Sequence, residues 1–227
     1  MKGNLITFKS GEQEVRGYLS RSGSGAGPGI IVIQEYWGLV PHIMDICDRF
    51  AGEGFTALAP DLYHGDTTTD PDEAATLMQA LHIGETEVTL RSAVDALLAD
   101  GTTFPKDKVG VVGFCMGGQL AMFAAAENPA IQATVNFYGI HPKVQPGYRH
   151  LKGPVLGFFA EHDNYATPEA VKALDVELTV LNKLHEFTTY PGTHHAFFND
   201  TRPEVYNESA AKDAWGKTLA FFRENLT

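Results

Sequence analysis

Segment 111–118, with the sequence Val-Val-Gly-Phe-Cys-Met-Gly-Gly, places one cysteine between two glycines. An apolar run precedes Cys115 and good helix formers follow it, a pattern typical of a nucleophile on a sharp turn between strand and helix. Gly113 and Gly117 suit this turn because a Cβ atom there would collide with the neighbouring strand and helix. The helix N-terminus favours a thiolate, and the backbone N–H of Met116 is placed to bind an oxyanion. We therefore predict that Cys115 attacks carbonyl carbon atoms.

Two strand ends further along the chain carry residues that could act as acid and base. Glu161 and Asp163 follow one predicted strand, and His194 and His195 follow the next. A histidine there would accept and return protons, and a carboxylate would orient its imidazole ring. Spacing alone leaves open which carboxylate and which histidine act. His162 lies beside them, but the spacing matches no usual zinc pattern, and we predict no metal or other cofactor.

The other cysteine, Cys47, has the opposite context. It lies within a predicted helix beside Ile46, Asp48 and Phe50, with no turn or base nearby. A free cysteine in such a place packs as a small apolar side chain. We interpret Cys47 as a packing residue, and two cysteines are too few for a disulfide scaffold.

Strands alternate with helices along most of the chain. Apolar runs predict strands at 5–9, 14–19, 29–34, 55–59, 109–114, 133–138, 155–160 and 186–190. Helical spacing predicts helices at 41–51, 70–100 (interrupted at Gly84), 119–126, 168–184 and 205–226. The first two strands flank Ser10 and Gly11, which indicates an antiparallel hairpin.

This alternation indicates a single α/β domain over residues 1–227. Its central sheet would be mostly parallel and flanked by helices, with no large lid. In such a sheet the chemistry lies at the carboxyl ends of the strands. Cys115 and the candidate acids and bases all follow strand ends, so the predicted fold would bring them to one edge.

Composition excludes several classes of protein. The 227 residues carry 17 Lys and Arg against 28 Asp and Glu, a net charge of −11, and 44% of them are hydrophobic. The apolar content is too high for disorder, and the acidic charge disfavours nucleic acid. No stretch has the length of a membrane span, and the N-terminus lacks the pattern of a signal peptide. We expect a cytoplasmic protein without membrane partners, either a monomer or a small homo-oligomer.

Four segments together resemble the dienelactone hydrolases, thiol-dependent members of the α/β-hydrolase superfamily. They are residues 34–38 (Gln-Glu-Tyr-Trp-Gly), 59–63 (Ala-Pro-Asp-Leu-Tyr), 113–118 and 192–197 (Gly-Thr-His-His-Ala-Phe). The resemblance covers nearly the whole chain and implies the α/β-hydrolase fold. It also implies carboxymethylenebutenolidase-like activity, the hydrolysis of a small ester or lactone.

The resemblance implies a Cys-His-Asp triad. The family places its catalytic histidine directly before a small residue and a phenylalanine, which selects His195 over His194. It places the acid at the last position of the sequence Glu-His-Asp, which selects Asp163. Together with Cys115, these residues form the expected triad.

The resemblance also implies supporting groups around the thiol. Glu35 would accept the thiol proton, and a carboxylate that ends an apolar run is partly desolvated, which suits it to this task. The backbone N–H of Tyr36 would complete an oxyanion hole with that of Met116. Trp37 and Tyr63 are candidates for lining the substrate pocket.

One departure concerns the two arginines with which family members bind the carboxylate of dienelactone. Asn199 occupies one position, and residues 70–81 contain no arginine for the other; Arg91 and Arg202 match neither. With a net charge of −11, this counts against an anionic lactone and leaves the natural substrate open. The alternative is a catalytically silent protein that binds a small ligand in the same cleft.

Overall fold

The computed structural model of the chain describes residues 2–141 and 143–227. Met1 and Pro142, which the predicted domain includes, lie outside the described residues. The strands are β1 (Asn4–Ser10), β2 (Gln13–Ser20), β3 (Gly29–Ile33), β4 (Thr56–Pro60), β5 (Val109–Phe114), β6 (Ile131–Phe137), β7 (Val155–His162) and β8 (His185–His194). The helices are α1 (Pro41–Gly52), α2 (Pro71–Ala80), α3 (Ile83–Ala99), α4 (Met116–Glu127), α5 (Pro168–Val180) and α6 (Glu208–Leu226).

The eight strands form one sheet in the order β1-β2-β4-β3-β5-β6-β7-β8. Strands β3 to β8 run parallel to one another, while β2 is antiparallel to both β1 and β4. This topology confirms the mostly parallel sheet and the N-terminal hairpin. It brings the carboxyl ends of β3, β5, β6, β7 and β8 to one edge of the sheet.

Helices cover both faces of the sheet. Apolar residues of α3, α4 and α5 pack on one face, and those of α1 and α6 pack on the other. Every residue of β3, β4 and β5 is buried, as expected for strands covered on both sides. The continuous apolar runs in the sequence have this cause. No helix in the described segments combines the length and apolarity needed to cross a membrane.

Several predicted helix boundaries are wrong: α5 ends at Val180 instead of 184, α6 begins at Glu208 instead of 205, and two further differences have a local cause. The interruption between α2 and α3 falls at Leu81 and His82, whose backbones are extended, while Gly84 lies in the first turn of α3. Glycine is tolerated there because the first turn of a helix has few internal hydrogen bonds to lose. Helix α4 begins at Met116, three residues before the prediction, because Gly117 and Gly118 have low helix propensity and masked the start.

Strand β8 is longer than predicted. Pro191 and Gly192 are typical turn residues, yet the strand continues through them to His194. The register with β7 extends past an irregularity to pair His162 with His194. Pairing with the neighbouring strand therefore overrides the local turn signal, and the final turn begins at His195.

Candidate active site

Cys115 occupies a strained turn between β5 and α4. Its backbone φ angle is +55°, a value that residues other than glycine rarely adopt. A Cβ atom at Gly113 would overlap the carbonyl oxygen of Gly117, and one at Gly117 would lie 2.5 Å from the carbonyl oxygen of Ile33. The Cys115 N–H donates to the carbonyl of Phe137 at 3.0 Å, which fixes the turn against β6. The thiol is half-buried at the carboxyl edge of the sheet.

His195 and Asp163 form a hydrogen-bonded pair at the same edge. Nδ1 of His195 lies 2.7 Å from Oδ2 of Asp163. The other oxygen, Oδ1, accepts the backbone N–H groups of Tyr165 at 2.8 Å and Ala166 at 3.0 Å. The Asp163 side chain is completely buried, so these contacts hold the carboxylate in one orientation. Ala196, directly after the histidine, has a φ of +66°, which marks a second strained turn.

The other two candidates left open by spacing lie apart from this pair. Glu161 accepts the backbone N–H of Gly192 at 2.7 Å and is exposed. His194 stacks loosely on His162, with 5.4 Å between ring centroids. Within the described ranges, no group of three His, Cys, Asp or Glu residues is arranged to hold a metal ion.

The surroundings of His195 favour its protonated form. Burial acts to lower its pKa, but the negative charge of Cys115 and the hydrogen bond to Asp163 outweigh burial and raise the pKa to about 10. The second ring nitrogen, Nε2, is buried, and a hydrogen bond between the His195 and Cys115 side chains also acts to raise the pKa. Asp163 therefore fixes Nδ1 and leaves Nε2 as the ring atom available for proton transfer.

Glu35 lies directly after β3 and is 1% exposed. Its Oε2 accepts the side-chain amide of Asn199 at 2.8 Å, and its Oε1 accepts the hydroxyl of Tyr138 at 3.4 Å. Both donors are neutral groups. The carboxylate is therefore held deep in the protein by hydrogen bonds rather than by an ion pair.

Tyr138 is a site residue that sequence reasoning missed. Its φ is +43°, and its ring centroid lies 5.0 Å from that of His195. Burial, followed by the charges of Glu35 and Cys115, raises its pKa well above the usual range. The side chain thus lies within the electrostatic reach of both groups. Its position, a hydroxyl-bearing residue just after the strand next to β5, was the signal that could have identified it.

The two predicted oxyanion donors are the backbone N–H groups of Tyr36 and Met116. Met116 is the first residue of α4, where a backbone N–H has no partner within the helix. In the described parts of the chain, neither this N–H nor that of Tyr36 donates to a backbone carbonyl. Burial and then the charge of Cys115 raise the pKa of Tyr36, which places this residue near the thiol.

Aromatic residues lie in the loops that follow β3 and β7, and Tyr165 contacts the ring of His195. Tyr36 and Trp37 contact each other with 4.3 Å between ring centroids, and the guanidinium of Arg202 lies 5.8 Å from the Trp37 ring. Tyr165 is 72% exposed and lies 4.9 Å from the His195 ring. Together they present flat apolar surface beside the reactive groups.

Tyr63 lies on the other side of the turn. Its hydroxyl donates to the sulfur of Met116 at 3.4 Å. The residue also borders a cleft of about 250 Å³ that is walled by α2 and α3, including Leu77 and Thr86. Arg91, in α3, pairs with Glu87 at 3.2 Å.

The parallel sheet and the strained cysteine turn at its carboxyl edge define the chain as an α/β-hydrolase. A sequence profile described as "Dienelactone hydrolase family" matches residues 15–226. The chain belongs to the dienelactone hydrolase family and is a hydrolase of the ester and lactone class.

Similar proteins support this assignment over the full length. "Protein usf" of Aquifex pyrophilus is 38% identical over 232 residues, covering 99% of this chain and 100% of that protein. "Putative carboxymethylenebutenolidase" of Aquifex aeolicus is 34% identical over 233 residues, covering 99% of each chain. The crystal structure of "Putative Dienelactone Hydrolase" from Klebsiella pneumoniae superposes with a TM-score of 0.88 at 29% identity, covering 98% of each chain.

Proposed function

We propose that the chain, as a single domain, hydrolyses carboxylic esters or lactones through a Cys115-His195-Asp163 triad. The observation that carries this proposal is the strained turn that presents Cys115 at the edge of the sheet where a buried aspartate fixes His195, a histidine whose pKa is raised by Cys115. The name of the Aquifex aeolicus relative, a carboxymethylenebutenolidase, supports a lactone or ester as the substrate class.

The chemistry begins with Cys115 as a thiolate. Its sulfur attacks the substrate carbonyl, and the resulting oxyanion accepts hydrogen bonds from the N–H groups of Tyr36 and Met116. The carbon–oxygen bond to the leaving group then breaks, and the His195 imidazolium gives its proton to the departing alkoxide. A thioester on Cys115 and a neutral His195 remain.

Water completes the cycle. Neutral His195 takes a proton from a water molecule, and the resulting hydroxide attacks the thioester carbonyl. The carbon–sulfur bond breaks, which releases the carboxylic acid and restores the thiolate beside the imidazolium. Asp163 holds the ring orientation in both halves of the cycle and stabilises the cation.

Glu35 is proposed to take the proton of the Cys115 thiol when the thiolate forms. Tyr138 supports this role, because its hydroxyl donates a hydrogen bond to Glu35 and, beyond burial, the charges of both Glu35 and Cys115 raise its pKa. The carboxylate is 1% exposed, and the hydrogen-bond donors to it, Tyr138 and Asn199, are neutral.

Mass spectrometry combined with turnover tests the triad. The wild type is mixed with p-nitrophenyl acetate and with neutral lactones, quenched early, and digested to locate the acyl group. We expect an acetyl adduct on the peptide that contains Cys115, followed by its loss during turnover. Cys115→Ala should lose turnover by at least about 10³-fold, whereas the matched variant Cys47→Ala should keep it.

Two results would contradict the triad. Full activity in Cys115→Ala or His195→Ala would exclude the assigned nucleophile or base. Saturable binding of the same lactones without acylation or turnover would instead support the catalytically silent alternative.

A further inference from the structure

The carboxylate of Glu35 has no cationic partner. Its two hydrogen-bond donors, Asn199 and Tyr138, are both uncharged. Among the described residues, no Lys or Arg lies within ion-pair distance of this carboxylate. A buried acid held in this way differs from a structural ion pair, in which a fixed cation keeps the acid ionised.

The orientation of the Asn199 amide is fixed by its own surroundings. Its Oδ1 accepts the backbone N–H of Thr201 at 3.1 Å and the hydroxyl of Thr201 at 2.6 Å. An oxygen that accepts two hydrogen bonds leaves the NH₂ group to face Glu35, so the amide acts as donor there. Asn199 is 2% exposed, and its backbone N–H bonds to Ala196 in the turn after His195. The residue therefore joins the histidine turn to the end of β3.

We propose that Asn199 is a positioning residue that holds Glu35 in place without fixing its charge. This inference rests on the role proposed above for Glu35. An amide N–H can donate both to a carboxylate and to the carbonyl oxygen of a carboxylic acid, and it favours the ionised acid less than a full positive charge would. Glu35 can therefore gain the thiol proton and keep the same hydrogen bond. A cation at this position would favour the ionised acid and oppose that transfer.

The other groups near Glu35 do not supply a fixed cation. His42, in α1, is buried, and burial lowers its pKa although the charges of Glu35 and Asp200 act to raise it. Arg49 is engaged by Asp200 and Asp45.

The remaining groups near Glu35 also provide no cation that is paired with its carboxylate. Tyr138 and Tyr36 have raised pKa values and stay neutral near pH 7. Cys115 is the thiol whose proton Glu35 is proposed to take, and it supplies no cation. The positive charge of Arg202 acts to lower the pKa values of Tyr36 and Tyr138. Its Nε, however, donates a hydrogen bond to Glu204 at 2.8 Å.

A consequence concerns the substrate class. If an arginine held Glu35 at this position, an anionic substrate would have to draw that cation away before Glu35 could take the thiol proton. Because the neutral amide of Asn199 holds Glu35 instead, formation of the thiolate needs no anionic substrate. Cys115 is then activated in the free enzyme, and the substrates it accepts are uncharged esters and lactones. Activation in the free enzyme can be measured without any substrate.

The experiment measures alkylation of Cys115 by iodoacetamide near pH 7 in the absence of substrate. Asn199→Lys introduces a cation, and Asn199→Met is the matched neutral control of similar length. Both are also made together with Glu35→Gln, which removes the proposed proton acceptor. We expect the Lys variant to react about tenfold more slowly than the Met variant when Glu35 is present, and within about twofold of it when Gln replaces Glu35.

Two results would overturn the proposal. One is an equal rate for the Lys and Met variants with Glu35 present. The other is the same slower reaction of the Lys variant in the Glu35→Gln background, which would show that the effect does not act through the Glu35 carboxylate. Wild-type turnover that depends on Cys115 is measured separately, so the hydrolase proposal and this inference can fail independently.

A second variant keeps the test decisive if a lysine at position 199 prevents folding. Asn199→Ala removes the donor and adds no charge. Alkylation should slow several-fold relative to wild type, and the effect should vanish in the Glu35→Gln background. An unchanged rate in Asn199→Ala, with the fold verified by circular dichroism, would overturn the positioning role.

Discussion

Cys47 and Cys115 are the same residue type in opposite environments. Cys47 lies inside α1, fully buried, and burial raises the pKa of its thiol well above the usual range. Cys115 is half-buried on a strained turn, with His195 and the N-terminus of α4 beside it. The comparison teaches that reactivity comes from where the backbone places a thiol and which charges face it.

The largest expected effect is a difference in alkylation. At neutral pH in the folded protein, iodoacetamide should modify Cys115 faster than Cys47 by on the order of 10³-fold or more, because Cys115 is partly exposed whereas Cys47 is fully buried with a raised pKa. Peptide mass spectrometry over time measures both rates. In denaturant the two alkylation rates should converge. Similar rates for both cysteines in the folded state would contradict the claim that their environments give them different reactivity.

Removing the charge of Asp163 should come next in size. Asp163→Asn keeps the shape but cannot hold His195 in the same tautomer or stabilise its cation, so kcat should fall by between about 10² and 10⁴. Steady-state kinetics on a p-nitrophenyl ester measure the loss. Glu161→Gln is the control, because Glu161 bonds Gly192 instead, and it should stay within about twofold of wild type. Equal losses in both variants would remove the distinction between the two acids.

The raised pKa of His195 makes the stability of the folded protein depend on pH, and Cys115 contributes to that raised pKa. Because its pKa is raised to about 10, the imidazolium stabilises the folded state at low and neutral pH, and this contribution is lost as the pH rises toward 10. Cys115→Ala removes the largest cause that raises this pKa, so the loss should begin at lower pH. Titration of the ring by NMR measures the change, and Cys47→Ala should leave the titration of His195 unaltered. A pKa that stays near 10 in Cys115→Ala would show that Asp163 alone sets it.

The smallest expected effect concerns Cys47. Cys47→Ser would place a hydroxyl in a fully buried site packed mainly by apolar side chains and lower the free energy of unfolding by about 1–3 kcal/mol. Turnover below the melting transition should not change. Urea denaturation measures the stability, with Cys47→Ala as the variant that removes the sulfur without adding a polar group. Loss of turnover in folded Cys47→Ser would give Cys47 a role beyond packing.

The sheet and the cysteine turn could be predicted because local patterns encode them. Buried parallel strands leave continuous apolar runs, and the glycines around Cys115 reflect collisions within a few residues. The positions of Asp163 and His195 after strand ends followed from the same alternation. Choosing them over Glu161 and His194 needed the resemblance to a family, because spacing gives both candidates equal standing.

The contacts of Tyr138 and Asn199 with Glu35 could not be predicted from the sequence, because they join distant elements. Tyr138 follows β6 and Asn199 follows β8, so three separated parts of the chain meet at one carboxylate. Such contacts depend on strand order and on side-chain packing. Neither leaves a periodic signal in one sequence.

Cys115, Tyr138 and Ala196 share one backbone property, a positive φ at the carboxyl edge of the sheet. Such positions cost about 1–3 kcal/mol each and persist only where the surrounding packing enforces them. Directed evolution for heat tolerance should therefore most readily select substitutions that remove backbone strain at this edge. Variants selected for thermal survival alone should accumulate changes around these turns and lose turnover, unless activity is selected in the same round.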